Sequence, residues 1–210
     1  MATARRRTAP RDERIRQLIG AAMAVIAAKG LTGTTTAAVT ARAGLSAGIV
    51  SLHFGSKEGL LVATLESLAN EHRDKWLAAQ GDAGLGARER LWAVISAHFD
   101  PEICTRTKIA VWFAFFGEGR YRETYREIVA QLDVERTAAV ETACREIIAE
   151  GGYAGVDPAL VALSIENLAD GLWLDLLLYP GRATLERARA QMRALLAAHF
   201  PAHFGDGVES

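Results

Sequence analysis

The sequence predicts an all-α protein of about nine helices, and three observations support this fold class. Half of the 210 residues are hydrophobic and 23% are charged, which is the balance of a globular protein. Apolar residues recur at the three- and four-residue spacing of amphipathic helices, and few segments alternate with the period of two that strands require. Glycine and proline interrupt these segments where helices would end.

The helix bounds follow from spacing and caps, taken in chain order. The first helix, residues 11–29, has apolar residues on one face and Gly30 after its last turn. Threonines at 34–36 can cap a second helix to Ala43, and Ser46 can cap a third to about Phe54. A long helix from Ser56 to about Gln80 has Leu60, Leu61, Thr64, Leu65 and Leu68 on its buried side. The remaining helices are expected at 87–99, 103–116, 120–150, 158–178 and 182–199.

Four regions are expected: a disordered basic arm at 1–10, a three-helix domain at 11–56, a helical domain at 57–200 and a flexible tail at 201–210. A membrane span needs roughly 18 apolar residues, and no run near the middle of the chain exceeds Ala110–Phe116. The N-terminus lacks the apolar core of a secretory signal, so we expect a cytoplasmic protein.

Charge is divided unevenly along the chain, although the formal net charge is only −1. Residues 1–57 hold nine Lys or Arg and two acids, which gives +7, while residues 58–210 hold fifteen bases and twenty-three acids, which gives −8. A basic end on an acidic body is expected where that end meets a polyanion. A solubilising tail is the alternative, but without Arg5, Arg6 and Arg7 the first part still carries +4.

The stretch Thr34–Lys57, TTTAAVTARAGLSAGIVSLHFGSK, predicts a helix-turn-helix. It contains a capped short helix, a tight turn at Gly44 and a second short helix, which is the unit whose second helix enters the DNA major groove. Capped helix pairs separated by glycine are common, so spacing alone supports this only weakly. The apolar positions expected to hold the pair against the first helix are Val39, Ala43, Leu45, Ile49 and Val50.

This stretch resembles the DNA-binding signature of the TetR family of bacterial regulators. The matching residues are Gly30, Thr35, Ala43, Gly44, Ser46, Gly48, Phe54, Lys57, Glu58, Leu60 and Leu61. The resemblance implies operator DNA as a partner, and the contacts that it implies are Thr35, Ser46, Ala47, Gly48, Ser51, His53 and Lys57. The family usually has an aromatic residue at the position of Ser51 and tyrosine at that of His53. Because no Arg or Lys lies between Ser46 and Phe54, we expect few base contacts and a contribution from DNA shape.

The helix at 158–178 is apolar on more than one side, which is typical of a helix buried on both faces. One face would pack on its own subunit and the other on a partner, because two DNA half-sites about 34–36 Å apart require a dimer. A large monomeric core is the alternative. The homodimer interface is expected at Val161, Ile165, Leu168, Leu172, Leu185, Met192 and Leu195.

Aromatic residues cluster in the middle of the chain and predict a small-molecule pocket. Several facing rings can hold a cation through their π faces, and a nearby carboxylate adds charge for an amine. For any single ring, a place in the core is the better explanation, and only a cavity shared by several rings would favour the pocket. The pocket is expected at Trp92, Trp112, Phe113, Phe116, Tyr121, Tyr125, Asp170 and Trp173.

Two further segments, KIAVWFAFF at 108–116 and ENLADGLWLDLLL at 166–178, resemble the C-terminal domain of the BetI-type regulators within the TetR family. The resemblance implies a homodimeric repressor that is released from its operator by a small molecule, such as choline or another amine. An activator, or a regulator of a non-amine hydrophobic metabolite, is the alternative.

An enzyme is the main competing class of function, and the sequence does not favour it. The histidines form no zinc-protease pair, and neither a serine elbow nor a phosphate-binding glycine loop is present. His72, near Glu71 and Asp74, is explained by a solvated helix face. Cys104 and Cys144 lack metal or redox spacing, so we expect buried thiols and neither catalytic residues, metal nor cofactor.

Overall fold

The computed structural model describes residues 11–81, 84–119 and 122–205, and within them it contains ten α-helices and no strand. The predicted all-α class is therefore confirmed. The basic arm predicted at 1–10, Tyr121 and residues 206–210 lie outside the described residues. The helices are α1 (Arg11–Lys29), α2 (Thr36–Ala43), α3 (Ile49–Phe54), α4 (Lys57–Gln80), α5 (Ala87–His98), α6 (Arg106–Gly119), α7 (Glu123–Gly151), α8 (Pro158–Leu178), α9 (Leu185–His199) and α10 (Pro201–Phe204).

The chain packs as two units. The first unit contains the chain as far as Ser67 together with Ala110–Tyr125, and the second contains Leu68–Ile109 and the chain from Arg126 onward. Helices α4, α6 and α7 each contribute residues to both units.

The core of the first unit holds its three N-terminal helices together. Four α1 residues pack there with Val39 of α2, Val50 of α3 and Leu60 of α4; the α1 residues are Leu18, Ala21, Ala22 and Val25. Ala43, Leu45 and Ile49 lie partly buried against the same cluster. The packing role predicted for the apolar residues of the helix-turn-helix is therefore confirmed.

Helix α2 is capped at both ends, and its C-terminal cap forms the turn toward α3. The hydroxyl of Thr35 accepts a hydrogen bond from the backbone N–H of Ala38 at 3.1 Å. At the other end Gly44 adopts φ +65°, and the N–H of Leu45 donates to the carbonyl of Thr40 at 2.9 Å. This left-handed cap reverses the chain at a position where any side chain would be strained.

The cap at Gly44 gives a prediction about stability. We expect Gly44→Ala to destabilise the protein by about 1 kcal/mol, because an L-residue is disfavoured in the left-handed region. Gly20→Ala, inside α1, should stabilise it by about 0.5–1 kcal/mol. An added Cβ meets no atom within 4 Å at either site, so the pair isolates the backbone effect. Urea unfolding of both variants measures it, and equal effects of the same sign would contradict this account.

The second unit contains a short helix, Pro201–Phe204, within the region where the sequence predicts a flexible tail. The hydroxyl of Tyr153 accepts a hydrogen bond from the N–H of Ala202 at 3.0 Å and lies 2.8 Å from Nδ1 of His203. Phe200, which precedes α10, is fully buried. These contacts explain why the chain stays helical from Pro201 to Phe204.

Candidate nucleic-acid interface and ligand cavity

The residues predicted to contact DNA lie on the helix-turn-helix of the first unit, between Thr35 and Lys57. Five of the seven are exposed: Thr35, Ser46, Ala47, Gly48 and Ser51. His53 and Lys57 are half-buried. The segment therefore presents small and polar groups outward, while Val39 and Val50 face the core.

The start of α3 differs from the sequence prediction. The helix begins at Ile49, its N-cap is Gly48, and no side chain caps it. The backbone carbonyl of Ser46 instead accepts a hydrogen bond from the N–H of Ile49 at 3.2 Å. The prediction that Ser46 caps this helix is thus wrong, because residues 46–48 form a turn before the helix starts; the Ser46 hydroxyl is left on the exposed surface.

Leu52 is a further surface residue of α3 that the sequence analysis missed. Its side chain is 74% exposed, which is unusual for a leucine in a helix packed on a core. Val50 and Phe54 face the core of the first unit, so Leu52, midway between them, points outward. This spacing was the signal in the sequence. An exposed apolar side chain on such a helix can contact the methyl group of thymine.

The start of α4 is tied to the start of α7 within the first unit. Nη1 of Arg122 lies 3.1 Å from a carboxylate oxygen of Glu58, and the Arg122 guanidinium lies over the ring of Tyr125 at 5.8 Å. Burial and the neighbouring carboxylate of Glu58 raise the pKa of the Tyr125 hydroxyl. An open groove of about 450 Å³ lies beside these groups; its lining residues are Leu31, Thr32, Ser56, Lys57, Glu58, Leu61, Glu118, Arg122 and Tyr125.

Four of the predicted pocket residues belong to the first unit. Trp112 and Tyr125 are buried, whereas Phe113 and Phe116 are half-buried. The ring of Phe116 lies 5.7 Å from those of both Trp112 and Phe113. Tyr125 is the predicted residue that lines the groove.

The other described members of the predicted pocket lie in the second unit. Trp92 is half-buried, and the guanidinium of Arg193 lies over its ring at 4.5 Å. Asp170 reaches the surface, although desolvation of its carboxyl raises its pKa to about 6. Trp173 is buried, and its ring stacks on that of His98 at 4.3 Å. A single cavity shared by these residues therefore stays a prediction.

Trp173 belongs to a buried polar cluster that was not foreseen. Nε2 of His72 lies 3.1 Å from Nδ1 of His98, and both side chains are buried. The prediction that His72 lies on a solvated face is therefore wrong. The signal in the sequence was its helical spacing with other buried α4 residues, namely Leu65, Ala69 and Trp76.

Arg136 is a buried charge in the same unit. Its Nε donates to Glu166 at 2.8 Å, its Nη2 also contacts Glu166, and Asp133 lies 3.3 Å away. Leaving a buried guanidinium without such partners is costly. Arg136 lies on a stripe of α7 with otherwise apolar buried residues, namely Leu132, Val140, Ala143 and Ile147.

The buried histidines predict how stability depends on pH. Burial, reinforced by the charge of Arg136, lowers the pKa of His72 to about 3 and that of His98 well below its ordinary value. The unfolded chain therefore binds more protons than the folded chain just below pH 6.5, and stability falls with falling pH there. The raised pKa of Asp170 opposes part of this trend.

We expect the free energy of unfolding to decrease between about pH 6.5 and pH 5, and His72→Gln to remove more than half of that decrease, because the opposing contribution of Asp170 stays in place. Urea titrations of both proteins across this range measure the two slopes. Equal slopes in the wild type and the variant would contradict a neutral, buried His72.

The residues predicted to form the homodimer interface differ in how deeply they are buried in the single chain. Val161, Ile165, Leu172 and Met192 are buried within the single chain, whereas Leu168, Leu185 and Leu195 are half-buried. The exposed apolar residues of this region are a different set: Leu160, Leu163, Leu174, Leu178 and Tyr179. At 3.6 residues per turn, the four leucines lie within an arc of about 60° around the axis of α8, so they share one face. The buried residues of α8 centre roughly half a turn away, on the opposite side of the helix.

The remaining titratable groups bear on the predictions for metal sites and for the two cysteines. In residues 11–81, 84–119 and 122–205, no three His, Cys, Asp or Glu side chains are placed to hold a metal ion. Cys104 and Cys144 are free thiols, and burial raises the pKa of each to about 12. In this part of the chain, no helix is long and apolar enough to cross a membrane.

Two segments of the chain match known protein families. Residues 18–64 match the bacterial regulatory proteins of the tetR family, and residues 87–201 match the C-terminal domain of BetI-type transcriptional repressors. The HTH-type transcriptional regulator BetI of Burkholderia thailandensis is 34% identical over 194 residues, which cover 89% of this chain and 95% of that protein.

Solved structures show the same fold. A transcriptional regulator from Pseudomonas aeruginosa superposes with a TM-score of 0.81 at 27% identity, over 95% of this chain and 97% of that one. A regulator from Saccharomonospora viridis, solved in complex with choline, superposes with a TM-score of 0.78 at 20% identity, over 90% of this chain and 97% of that one.

Proposed function

We propose that this chain, which belongs to the TetR family of bacterial regulatory proteins and has a BetI-type C-terminal domain, is a homodimeric repressor released from its operator by a small molecule. Its family makes it a DNA-binding transcriptional regulator and not an enzyme. Such a regulator acts in the bacterial cytoplasm, where the chromosome lies.

The main support for DNA binding is the set of residues on the exposed face of the helix-turn-helix. Small residues at Ala47 and Gly48 allow close approach to the groove, and exposed hydroxyls at Ser46 and Ser51 can bond to bases or phosphates. The ammonium of Lys57 suits a phosphate. With so few charged groups on α3, part of the sequence preference comes from DNA shape.

The dimer is supported by the exposed leucine face of α8. Leu160 is 62% exposed, and the other leucines of this face extend the patch along the helix. Contiguous apolar surface of this kind marks protein–protein contacts. A second copy of the chain placed there supplies the second DNA-binding domain that two half-sites require.

The effector has two candidate classes. Similarity to the BetI-type domain, and the choline complex of the related fold, make choline and other amines the first ligands to test. A non-amine hydrophobic metabolite is the second class, and the composition of a cavity in the second unit favours it, as argued below. Repression is proposed because the matched C-terminal domain is that of repressors, and activation is the outcome that a transcription assay would reveal instead.

We propose that ligand binding moves α4 and thereby releases the protein from DNA. This helix is continuous from Lys57 to Gln80, and Glu58 in its first turn is held by Arg122. A ligand shifts the spacing of the DNA-binding domains only if it binds the two spacings with different affinity.

Fluorescence anisotropy on DNA from the region next to the protein's own gene tests this function. We expect binding that weakens steeply with salt, because phosphate contacts release counterions. Addition of the effector should lower the affinity further. Absence of salt-sensitive binding to any neighbouring site would count against a regulator of that region, while unchanged affinity with choline, betaine and polyamines would remove only the amine class.

A further inference from the structure

A small cavity lies within the second unit, where α5, α7, α8 and α9 meet. Its volume is about 10 Å³, which is room for a single water-sized group. The residues that line it are Val94, Ile95, His98, Phe99, Arg136, Val140, Ile165, Glu166, Ala169 and Met192.

His98, which lines this cavity, carries an unsatisfied polar atom. Its Nε2 is buried, and no hydrogen-bonding partner for it exists among the described residues. The rest of the residue is held in place: Nδ1 faces His72, and the indole N–H of Trp173 and the thiol of Cys104 approach its carbonyl oxygen at 3.2 Å and 3.0 Å. A fixed, buried nitrogen without a partner gains from any ligand group that can bond to it.

The charges that line the cavity are already matched to each other. Arg136 and Glu166 are hydrogen-bonded as an ion pair, and the residues other than these two and His98 are apolar. The depressed pKa values of His98 and His72, caused first by burial, keep both rings neutral at physiological pH. A cationic ligand would therefore lose its hydration against this lining without gaining a free carboxylate among the described lining residues.

We propose that this cavity anchors the effector, and that the effector is a neutral, largely hydrocarbon molecule whose hydroxyl group bonds to Nε2 of His98. A hydroxyl both donates and accepts, so it suits either tautomer of the His72–His98 pair. The inference rests on the proposed function, since it names the ligand class for the ligand-binding domain of a regulator.

The cavity has room for the hydroxyl group of the ligand, and it must widen to hold the hydrocarbon part. Met192 is part of the lining, and its unbranched side chain can adopt other conformations at low cost. A ligand that binds only the widened state selects that state, which is the differential affinity that a change in operator binding needs.

Two probes of equal shape test the ligand class: 3,3-dimethylbutan-1-ol and choline. Both carry a hydroxyethyl group. The alcohol has a neutral quaternary carbon at the position where choline has a quaternary ammonium. We expect calorimetry to give an affinity for the alcohol at least about tenfold higher than for choline, because the lining has no free charge. Nitrogen-15 NMR of the histidine side chains should show Nε2 of His98 shifting on addition of the alcohol.

His98→Phe keeps an aromatic ring and removes the nitrogen, so it should weaken alcohol binding by about tenfold. His199→Phe, a half-buried histidine of α9, is the matched control and should leave binding unchanged. The NMR shift in the wild type decides the question even if His98→Phe does not fold.

The inference is overturned if choline binds as tightly as the alcohol, if the alcohol binds without shifting Nε2, or if neither probe binds up to its solubility limit. Operator binding by the ligand-free protein is measured in parallel. A protein that binds its operator and ignores the alcohol contradicts this inference alone, whereas one that binds no operator contradicts the proposed function.

Discussion

Ser51→Glu is expected to lower operator affinity on the order of a hundredfold, because each subunit would bring a carboxylate to the phosphate backbone. Ser51 is exposed on α3, so the substitution leaves the packed face of the helix intact. Thermal denaturation should therefore match the wild type. Anisotropy titrations with operator DNA at fixed salt measure the loss.

Ala138→Glu is the control for this variant. It adds the same charge at an exposed position of α7 in the second unit, and we expect less than about a threefold change in affinity. If Ser51→Glu binds operator as well as Ala138→Glu does, α3 is not the helix that enters the groove.

The double substitution Leu163→Glu with Leu174→Glu is expected to convert the protein to a monomer. Both leucines lie on the exposed face of α8, and a dimer would bury the new carboxylates without partners. Operator affinity should then fall by about two to four orders of magnitude, because the second half-site no longer binds as part of the same molecule. Sedimentation equilibrium gives the mass and anisotropy gives the affinity.

Val134→Glu tests whether any exposed apolar residue has this effect. Val134 lies on α7 and is 69% exposed, and we expect the variant to remain a dimer with normal operator affinity. A double α8 variant that still sediments as a dimer would place the interface on another surface.

The helix-turn-helix of the first unit was largely predictable from its sequence, because its structure depends on local signals. Gly44 requires a left-handed conformation, Thr35 caps α2, and the apolar spacing of α2 and α3 matches the observed core. The start of α3 was mispredicted at Ser46, since a serine before a helical pattern can equally belong to a turn.

The faces of α8 could not be assigned from the sequence alone. Leucine, valine and isoleucine occur all round this helix, so periodicity shows that it is largely apolar but not which side meets its own subunit. The expected interface included Val161, Ile165 and Leu172, which are buried in the single chain, whereas Leu160 and Leu163 are exposed. That distinction depends on tertiary packing.

The buried cluster of the second unit was missed for a related reason. A histidine or arginine among charged neighbours resembles a surface residue, and the sequence suggested this for His72 near Glu71 and Asp74. Its partner His98 follows 26 residues later, and only the fold brings the two rings together. Long-range pairing of polar residues leaves no local pattern.

Footprinting of the wild-type protein on DNA next to its own gene tests the central claim most directly. We predict protection of two half-sites about 34–36 Å apart, which is lost in Ser51→Glu and retained in Ala138→Glu. Protection of a single half-site would contradict the dimer. Absence of any protected site at low salt, where phosphate contacts are strongest, would contradict the assignment of this chain as a regulator of its neighbouring genes.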